Sequence, residues 1–382
     1  MIRLCPAGEW TTVIVDDLFP CAQYGESSSG PICSRSLGND LWLMLLEKAF
    51  AKLCGGYHRL RGVSVSMALQ CLSGAPCVSV SMSPLRGGAT SGNAERSCWS
   101  RLNKYISSGY VIVASTAGGS YSDRYGDRDA HGLVLNYPYT VLDARLTSRG
   151  DQLVQLRCPL NIINFEWTGD WCDDSPKWTE EIQLELGIDC DFDDRTFWMS
   201  FADFWLSFSS MDVCMVKHPA KNRHTEDQWN TSRHKLYLVP GEKAATLHPN
   251  AMSVLRVSGA ASEVFLSLDQ SYFKDASDNG RARIGIAVLK VTPDYCFEYV
   301  CGSDFVETWH AEVSSLLPVG VYLVVALVEA SGIETASNVD ADDTSEPALV
   351  DQSGRFSKLA DDVLSEMFGR LDGDMDGVSN LK

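Results

Sequence analysis

Residues 166–178 read EWTGDWCDDSPKW, three tryptophans and four carboxylates in thirteen positions. A solvated acidic loop rarely carries that much indole, and a core strand rarely carries that much acid. The segment therefore reads as a loop whose rings pack beneath it while its carboxylates face solvent or a cation. Just after it, DDRTFWMSFADFW (193–205) reads as a strand running into a short helix. Just before it, GLVLNYPYTVLDAR (132–145) and QLVQLRCPL (152–160) read as two strands of a hairpin turning at 148–151. Pro138 is awkward inside a central strand, because it has no N–H to give to the ladder.

Working outward, the chain opens on an expected strand, EWTTVIVDDLFP (9–20), and a Ser/Gly-rich loop. A helix is predicted next, capped by Asn39 or Asp40 and ended by Gly55 in the left-handed conformation. Its apolar stripe is Trp42, Leu46, Ala49, Phe50 and Leu53. A second helix is predicted near 95–107, followed by the strand YVIVAS (110–115) and a polar loop through His131. From about residue 218 the rhythm changes to short alternating runs: HKLYLV, SVLRVSG, EVFLSLDQ, RIGIAVLKV and VGVYLVVALV, separated by Pro, Gly and Asp. That rhythm predicts an antiparallel β-sandwich. Residues 334–351 carry six acids and no base, which reads as a disordered linker, and an amphipathic helix with an Asp-rich turn closes the sequence.

Composition narrows the function classes. A formal charge of −18 argues against a broad nucleic-acid footprint, which needs a basic face. The first ten residues hold no apolar core of a secretory signal. The longest apolar run, 319–328, is about half of a membrane span, so no transmembrane segment is expected. Thirteen cysteines without a C-x-x-C pair point to free thiols in a reducing compartment and away from zinc. The expected location is intracellular and cytoplasmic.

The pair EWTGDWCDDSPKW and DDRTFWMSFADFW closely resembles the second half of the calpain cysteine-protease core. The likeness extends back through GEWTTVIVDDLFP and LWLMLLEKAFAKLCGGY, and forward through RIGIAVLKV and SSLLPVGVYLVV into the calpain β-sandwich. It implies an α+β fold, mostly antiparallel sheet with helices, followed by an antiparallel β-sandwich. The implied division is a remnant of the first protease subdomain at 1–62, the second subdomain at 63–217, the sandwich at 218–333, an acidic linker at 334–355 and a truncated EF-hand-like segment at 356–382.

The resemblance also implies what chemistry to look for. Calpains resemble papain: a cysteine attacks the peptide carbonyl, a histidine shuttles its proton, and an asparagine orients the imidazole. The sequence is expected to start downstream of that cysteine, since Cys5, Cys21, Cys33 and Cys54 all lack the following Trp of the family motif. The family histidine, in Gly-His-Ala-Tyr-Ser-Val, matches Tyr137 in Asn136-Tyr137-Pro138-Tyr139-Thr140-Val141. A phenol titrates about three units too high for a general base at pH 7. The family asparagine, in Arg-Asn-Pro-Trp-Gly, matches Cys158. His131, six residues before Tyr137, reads as a solvated loop histidine.

Carried over position by position, the family's calcium ligands in this loop are Glu166, Asp173, Asp194 and the Phe192 carbonyl, with one further carboxylate replaced by Thr196. Calcium asks for six to eight oxygens, so a weak site is expected. Asp372, Asp374 and Asp376 match the start of an EF-hand loop that lacks its last ligand. The expected function is therefore that of a catalytically inactive calpain-like protein acting through protein partners, cytoskeletal or another calpain-like chain. A membrane surface could also be met through the sandwich loop with Lys274, Asp275, Asp278, Arg281 and Arg283. The alternative is a calcium-dependent cysteine endopeptidase component completed by upstream sequence or a partner chain.

Overall fold

The computed structural model describes residues 1–24, 28–31, 34, 40–60, 63–82, 91–117, 127–159, 167–187, 195–216, 231–233, 252–269, 283–292, 296–304, 306 and 310–329. They belong to two compact units, 1–231 and 232–382, described separately.

In the first unit, β1 (Ile2–Leu4) and β2 (Thr11–Val13) form one small antiparallel pair, and β3 (Cys21–Tyr24) and β4 (Ser28–Pro31) form another. The opening strand is thus shorter than the sequence pattern predicts. Helix α1 (Trp42–Cys54) ends at Gly55, whose φ of 92° is the left-handed geometry predicted for it. Its N-cap is Leu41 with no side-chain bond, in place of the expected Asn39 or Asp40 cap. Leu46, Ala49, Phe50 and Leu53 do pack against Leu4, Val13 and Cys71. Trp42, placed on the same stripe by spacing, is the first residue of the helix and is 61% exposed.

Helix α2 (Val65–Ser73) is an addition to the elements predicted from the sequence. Ser64 caps it, its hydroxyl accepting the Met67 N–H at 3.2 Å, and Gly74 ends it with φ 66°. A side chain at Gly74 would meet the Trp10 ring at 2.8 Å, so both conformation and space require glycine there. Helix α3 (Ser91–Ser107) follows β5 (Cys77–Ser81), with Leu102 fully buried and Trp99 against Phe201 at 5.0 Å.

The core of the unit is a six-stranded antiparallel sheet. Its remaining strands are β6 (Val111–Thr116), β7 (Pro138–Leu146), β8 (Gln152–Arg157), β9 (Thr196–Ser200) and β10 (Phe208–Cys214), in the order β5-β10-β6-β7-β8-β9. The β7–β8 hairpin closes at 147–151 as expected, with the Thr147 N–H donating to the Asp151 carbonyl at 2.9 Å. The first hairpin strand starts at Pro138, six residues later than its apolar pattern suggested. Pro138 takes the first strand position, where its missing N–H costs the ladder least. Helices α4 (Glu180–Leu186) and α5 (Phe201–Ser207) flank the last strands. Each starts from a hydroxyl cap: Thr179 accepts the Ile182 N–H and Ser200 accepts the Asp203 N–H.

The second unit is sheet-rich. Strands β11 (Met252–Val257), β13 (Arg283–Val291), β14 (Phe297–Gly302) and β16 (Gly320–Glu329) form one sheet in the order β11-β16-β13-β14. Strands β12 (Ser262–Asp269) and β15 (His310–Leu317) form another. Ile284, Ile286 and Val288 from the first sheet share a core with Ala311, Val313 and Leu317 from the second, which makes a sandwich. The apolar run at 319–328 is strand β16, as expected. Among the described residues no helix is long and apolar enough to cross a membrane. The run HKLYLV, the 334–355 linker and the 356–382 segment with Asp372, Asp374 and Asp376 lie outside the described residues.

Candidate functional site

Hydrogen bonds between the Tyr137 backbone and Thr116 pin position 137 to the end of β6. The Tyr137 N–H donates to Thr116 Oγ1 at 3.0 Å, and its carbonyl accepts the Thr116 N–H at 3.1 Å. The half-buried Tyr137 ring meets Tyr139 edge-on, with centroids 6.2 Å apart. Tyr139 is fully buried, with its ring set edge-on to Phe197 at 6.0 Å and Phe208 at 5.6 Å. Thr140 pairs with Arg157, so the next step along both strands sets Tyr139 across from Cys158. Burial drives the Tyr139 phenol well above its ordinary value, and the neighbouring Cys158 thiol raises it further. Cys158 is 2% exposed, and its N–H donates to the Arg195 carbonyl at 3.1 Å. Residues 137 and 158, twenty-one apart in sequence, thus converge on one tyrosine.

His131 belongs to a different corner. Asp129 Oδ1 accepts the N–H groups of His131 and Leu133, which shapes its turn. The His131 ring is exposed yet packs on Trp167 at 5.0 Å, where the sequence reading expected simple solvation. Its carbonyl accepts both the N–H and the hydroxyl of Thr168, at 2.9 and 3.0 Å.

The same loop turns its tryptophans inward. Trp171 stands edge-on to Trp178 at 4.9 Å, and Trp178 to Trp198 at 6.4 Å, over Leu153 and Ile182. Two of the three loop indoles have a carbonyl acceptor: Trp167 Nε1 donates to that of Asp170 at 2.8 Å and Trp178 Nε1 to that of Cys172 at 2.9 Å. Trp198 Nε1 is buried with no acceptor among the described residues. Trp171 holds a left-handed φ of 67°, so packing overrides its backbone preference. Lys177 pairs with Asp170 at 2.6 Å and lies over the Trp171 ring. Gly169 is required by close approach, since a Cβ there would fall 2.2 Å from Trp167.

Of the carried-over calcium ligands only Asp173 lies among the described residues, half-buried in this loop; Glu166, Phe192 and Asp194 lie outside them. No group of three or more His, Cys, Asp and Glu side chains fit to hold a metal occurs among the described residues. Thr196, at the position of the missing carboxylate, starts β9 opposite Arg157.

An apolar recess of about 370 Å³ opens next to the Tyr137–Cys158 corner. Its walls include Phe50 of α1, Val65 and Leu69 of α2, and Pro138 and Pro159, the residues directly after Tyr137 and Cys158. Both prolines lie in the matched motifs, but the recess also depends on α2, which the residue pattern hid.

An antiparallel sheet with these two matched positions at one corner, a helix-lined recess beside them and a tryptophan-rich acidic loop defines a cysteine-protease type of core. Residues 1–215 match the calpain family cysteine protease model, more than half of the chain, and the chain belongs to that family. It is 30% identical over 333 residues to the calpain-type cysteine protease DEK1 of Zea mays, covering 80% of this chain and 14% of that protein. It is 27% identical over 362 residues to calpain-5 of Mus musculus, covering 83% of this chain and 54% of that protein. With the calpain-1 catalytic subunit of Rattus norvegicus it shares 26% identity over 435 residues, 97% of this chain and 57% of that protein. The chain therefore spans about one seventh of the plant relative and just over half of the animal ones.

Proposed function

We propose that this calpain-family chain acts by binding a protein partner and does not hydrolyse peptide bonds. The observation that carries the reading is the chemistry of the two residues that meet at Tyr139. Thiol proteolysis needs a side chain that accepts a proton near neutral pH, and phenols are poor acceptors there. At the second position a buried thiol replaces an amide. A thiol is a weak donor and weak acceptor, unable to fix an imidazole in one orientation. Both departures lie inside the chain and hold whatever precedes or follows it. In this reading His131, whose exposed ring packs on Trp167 in a separate turn, does not stand in for the missing base.

What survives is the apolar recess beside that corner. Its lining suits an apolar side chain of a peptide or protein segment, held without cleavage. The partner class in this reading is a cytoskeletal protein or another calpain-like chain.

Calcium enters the proposal as a weak ligand. Glu166, Asp173, Asp194 and the Phe192 carbonyl, all ahead of β9 in the sequence, would supply hard oxygens, and Thr196 leaves the set one carboxylate short. A bound ion would brace the loop against the strand.

The test is digestion of casein by the native full-length protein, with and without millimolar calcium and a thiol alkylator. The reading expects no alkylator-sensitive hydrolysis. Calcium-stimulated hydrolysis abolished by the alkylator would overturn it.

A further inference from the structure

Two cysteines that take no part in the site above oppose each other at the edge of the six-stranded sheet. Cys77 opens β5, Cys214 closes β10, and the antiparallel register makes them direct partners. Backbone bonds nearby define the kind of pair. The Met215 N–H donates to the Pro76 carbonyl at 2.8 Å, and the Met82 N–H donates to the Ser209 carbonyl at 2.7 Å. Hydrogen-bonded pairs therefore fall on even positions of this strand, and Cys77 with Cys214 is a non-hydrogen-bonded pair. In such a pair the Cα atoms stand about 4.5 Å apart with both side chains on one face. A disulfide spans Cα separations of about 4.4–6.8 Å, so this pair sits at the short end of the permitted range.

The thiols already interact. They hydrogen-bond to each other, Ser73 Oγ lies 3.3 Å from Cys214 Sγ, and both cysteines are reduced. We propose that Cys77 and Cys214 are a redox-modification site, forming a reversible disulfide with a peroxide-class oxidant and reopening with a glutathione-class thiol.

The surroundings distinguish this pair from the other buried thiols. The hydrogen bond from Cys77 outweighs burial and, with Ser73, holds the Cys214 thiol below its ordinary value. Burial pushes Cys54 and Cys98 up to about 11 and Cys71 up to about 12, which leaves them poor nucleophiles. Cys214 is thus the attacking sulfur. Its thiolate displaces hydroxide from the peroxide O–O bond and becomes a sulfenic acid. Cys77 sulfur then attacks that sulfur, the S–S bond forms, and the sulfenic oxygen leaves as water. The net change is two thiols and one hydrogen peroxide giving one disulfide and two waters.

Cys77 is 7% and Cys214 1% exposed, but among the described residues β5 is an outer strand paired with β10 alone, so small oxidants gain access when that edge opens. A bond at the short limit of the geometry is strained and therefore easily reduced, which favours a switch over a permanent staple. Closing it would lock the outer strand, and the α2–β5 turn, to the last strand of the first unit.

The experiment treats the native protein with hydrogen peroxide, blocks remaining thiols under denaturing conditions and maps the peptides by mass spectrometry. The expected result is a Cys77–Cys214 linked peptide, lighter by two hydrogens than its halves, with Cys54, Cys71 and Cys98 still alkylated. Reduced glutathione should erase it, and the linked species should be missing from Cys77→Ser and Cys214→Ser proteins. Wild-type mapping decides the matter even if a variant fails to fold. Separate alkylation of both cysteines, or links to other thiols instead, would overturn the site. A link that survives reduced glutathione would overturn its reversibility.

Discussion

The Tyr139 hydroxyl accepts the buried N–H of Val134 at 2.9 Å, and that bond ties the loop carrying His131 to strand β7, which begins directly after position 137. Its consequence is measurable. Tyr139→Phe leaves the Val134 N–H buried without its acceptor, a loss of about 1–3 kcal/mol. A fall of that size in the unfolding free energy of the first unit, followed by tryptophan fluorescence in denaturant, is the expected outcome. No change would mean the bond is dispensable.

Gly169→Ala tests the acidic loop. The added methyl group would overlap the Trp167 ring and force the indole away from the Asp170 carbonyl. Overpacking of this kind costs about 1–3 kcal/mol. Red-shifted tryptophan emission and a lower melting temperature should accompany it.

Buried thiols set a pH limit. Burial raises Cys54 and Cys98 from 9.0 to about 11 and Cys71 to about 12. The folded state therefore keeps protons that the unfolded chain gives up above pH 9. Their contribution is constant at lower pH and is lost as pH rises through the window from 9 to the folded values, at roughly 1.4 kcal/mol per pH unit for each thiol. Denaturation midpoints measured from pH 7 to 11 should hold steady and then fall. Replacing the three cysteines by alanine should flatten the fall.

Calcium titration by calorimetry probes the ligand set. The proposal expects millimolar affinity for the full-length protein and at least a several-fold loss in Asp173→Asn, because each carboxylate removed from a cation site weakens it. Identical heats for the two proteins would remove Asp173 from the set.

Much of the fold was legible because single residues carried unambiguous signals. Phe197, Trp198 and Met199 marked a buried strand, Ser200 its turn into a helix, and Gly55 the end of α1. Other parts had conflicting local signals. The stretch from Val63 to Ser66 alternates apolar and polar like a strand, yet the Ser64 cap and packing against β5 and β10 make it helix α2. Strand β10 carries two serines and a buried Asp212, and only its central place in the sheet explains it. At the site, Tyr137 and Cys158 could be picked out by motif. Their meeting at Tyr139 and the recess beside them required the β7–β8 register and the unforeseen α2.

The most direct measurement of the central claim is labelling of the native full-length protein by a peptidyl epoxide, followed by intact mass with and without calcium. Such a reagent alkylates a thiol that a neighbouring base has activated. With a phenol at position 137 and a buried thiol at 158, no saturable calcium-dependent adduct should form between pH 6 and 8. A single stoichiometric adduct whose formation rises with a group titrating near neutrality would contradict the account.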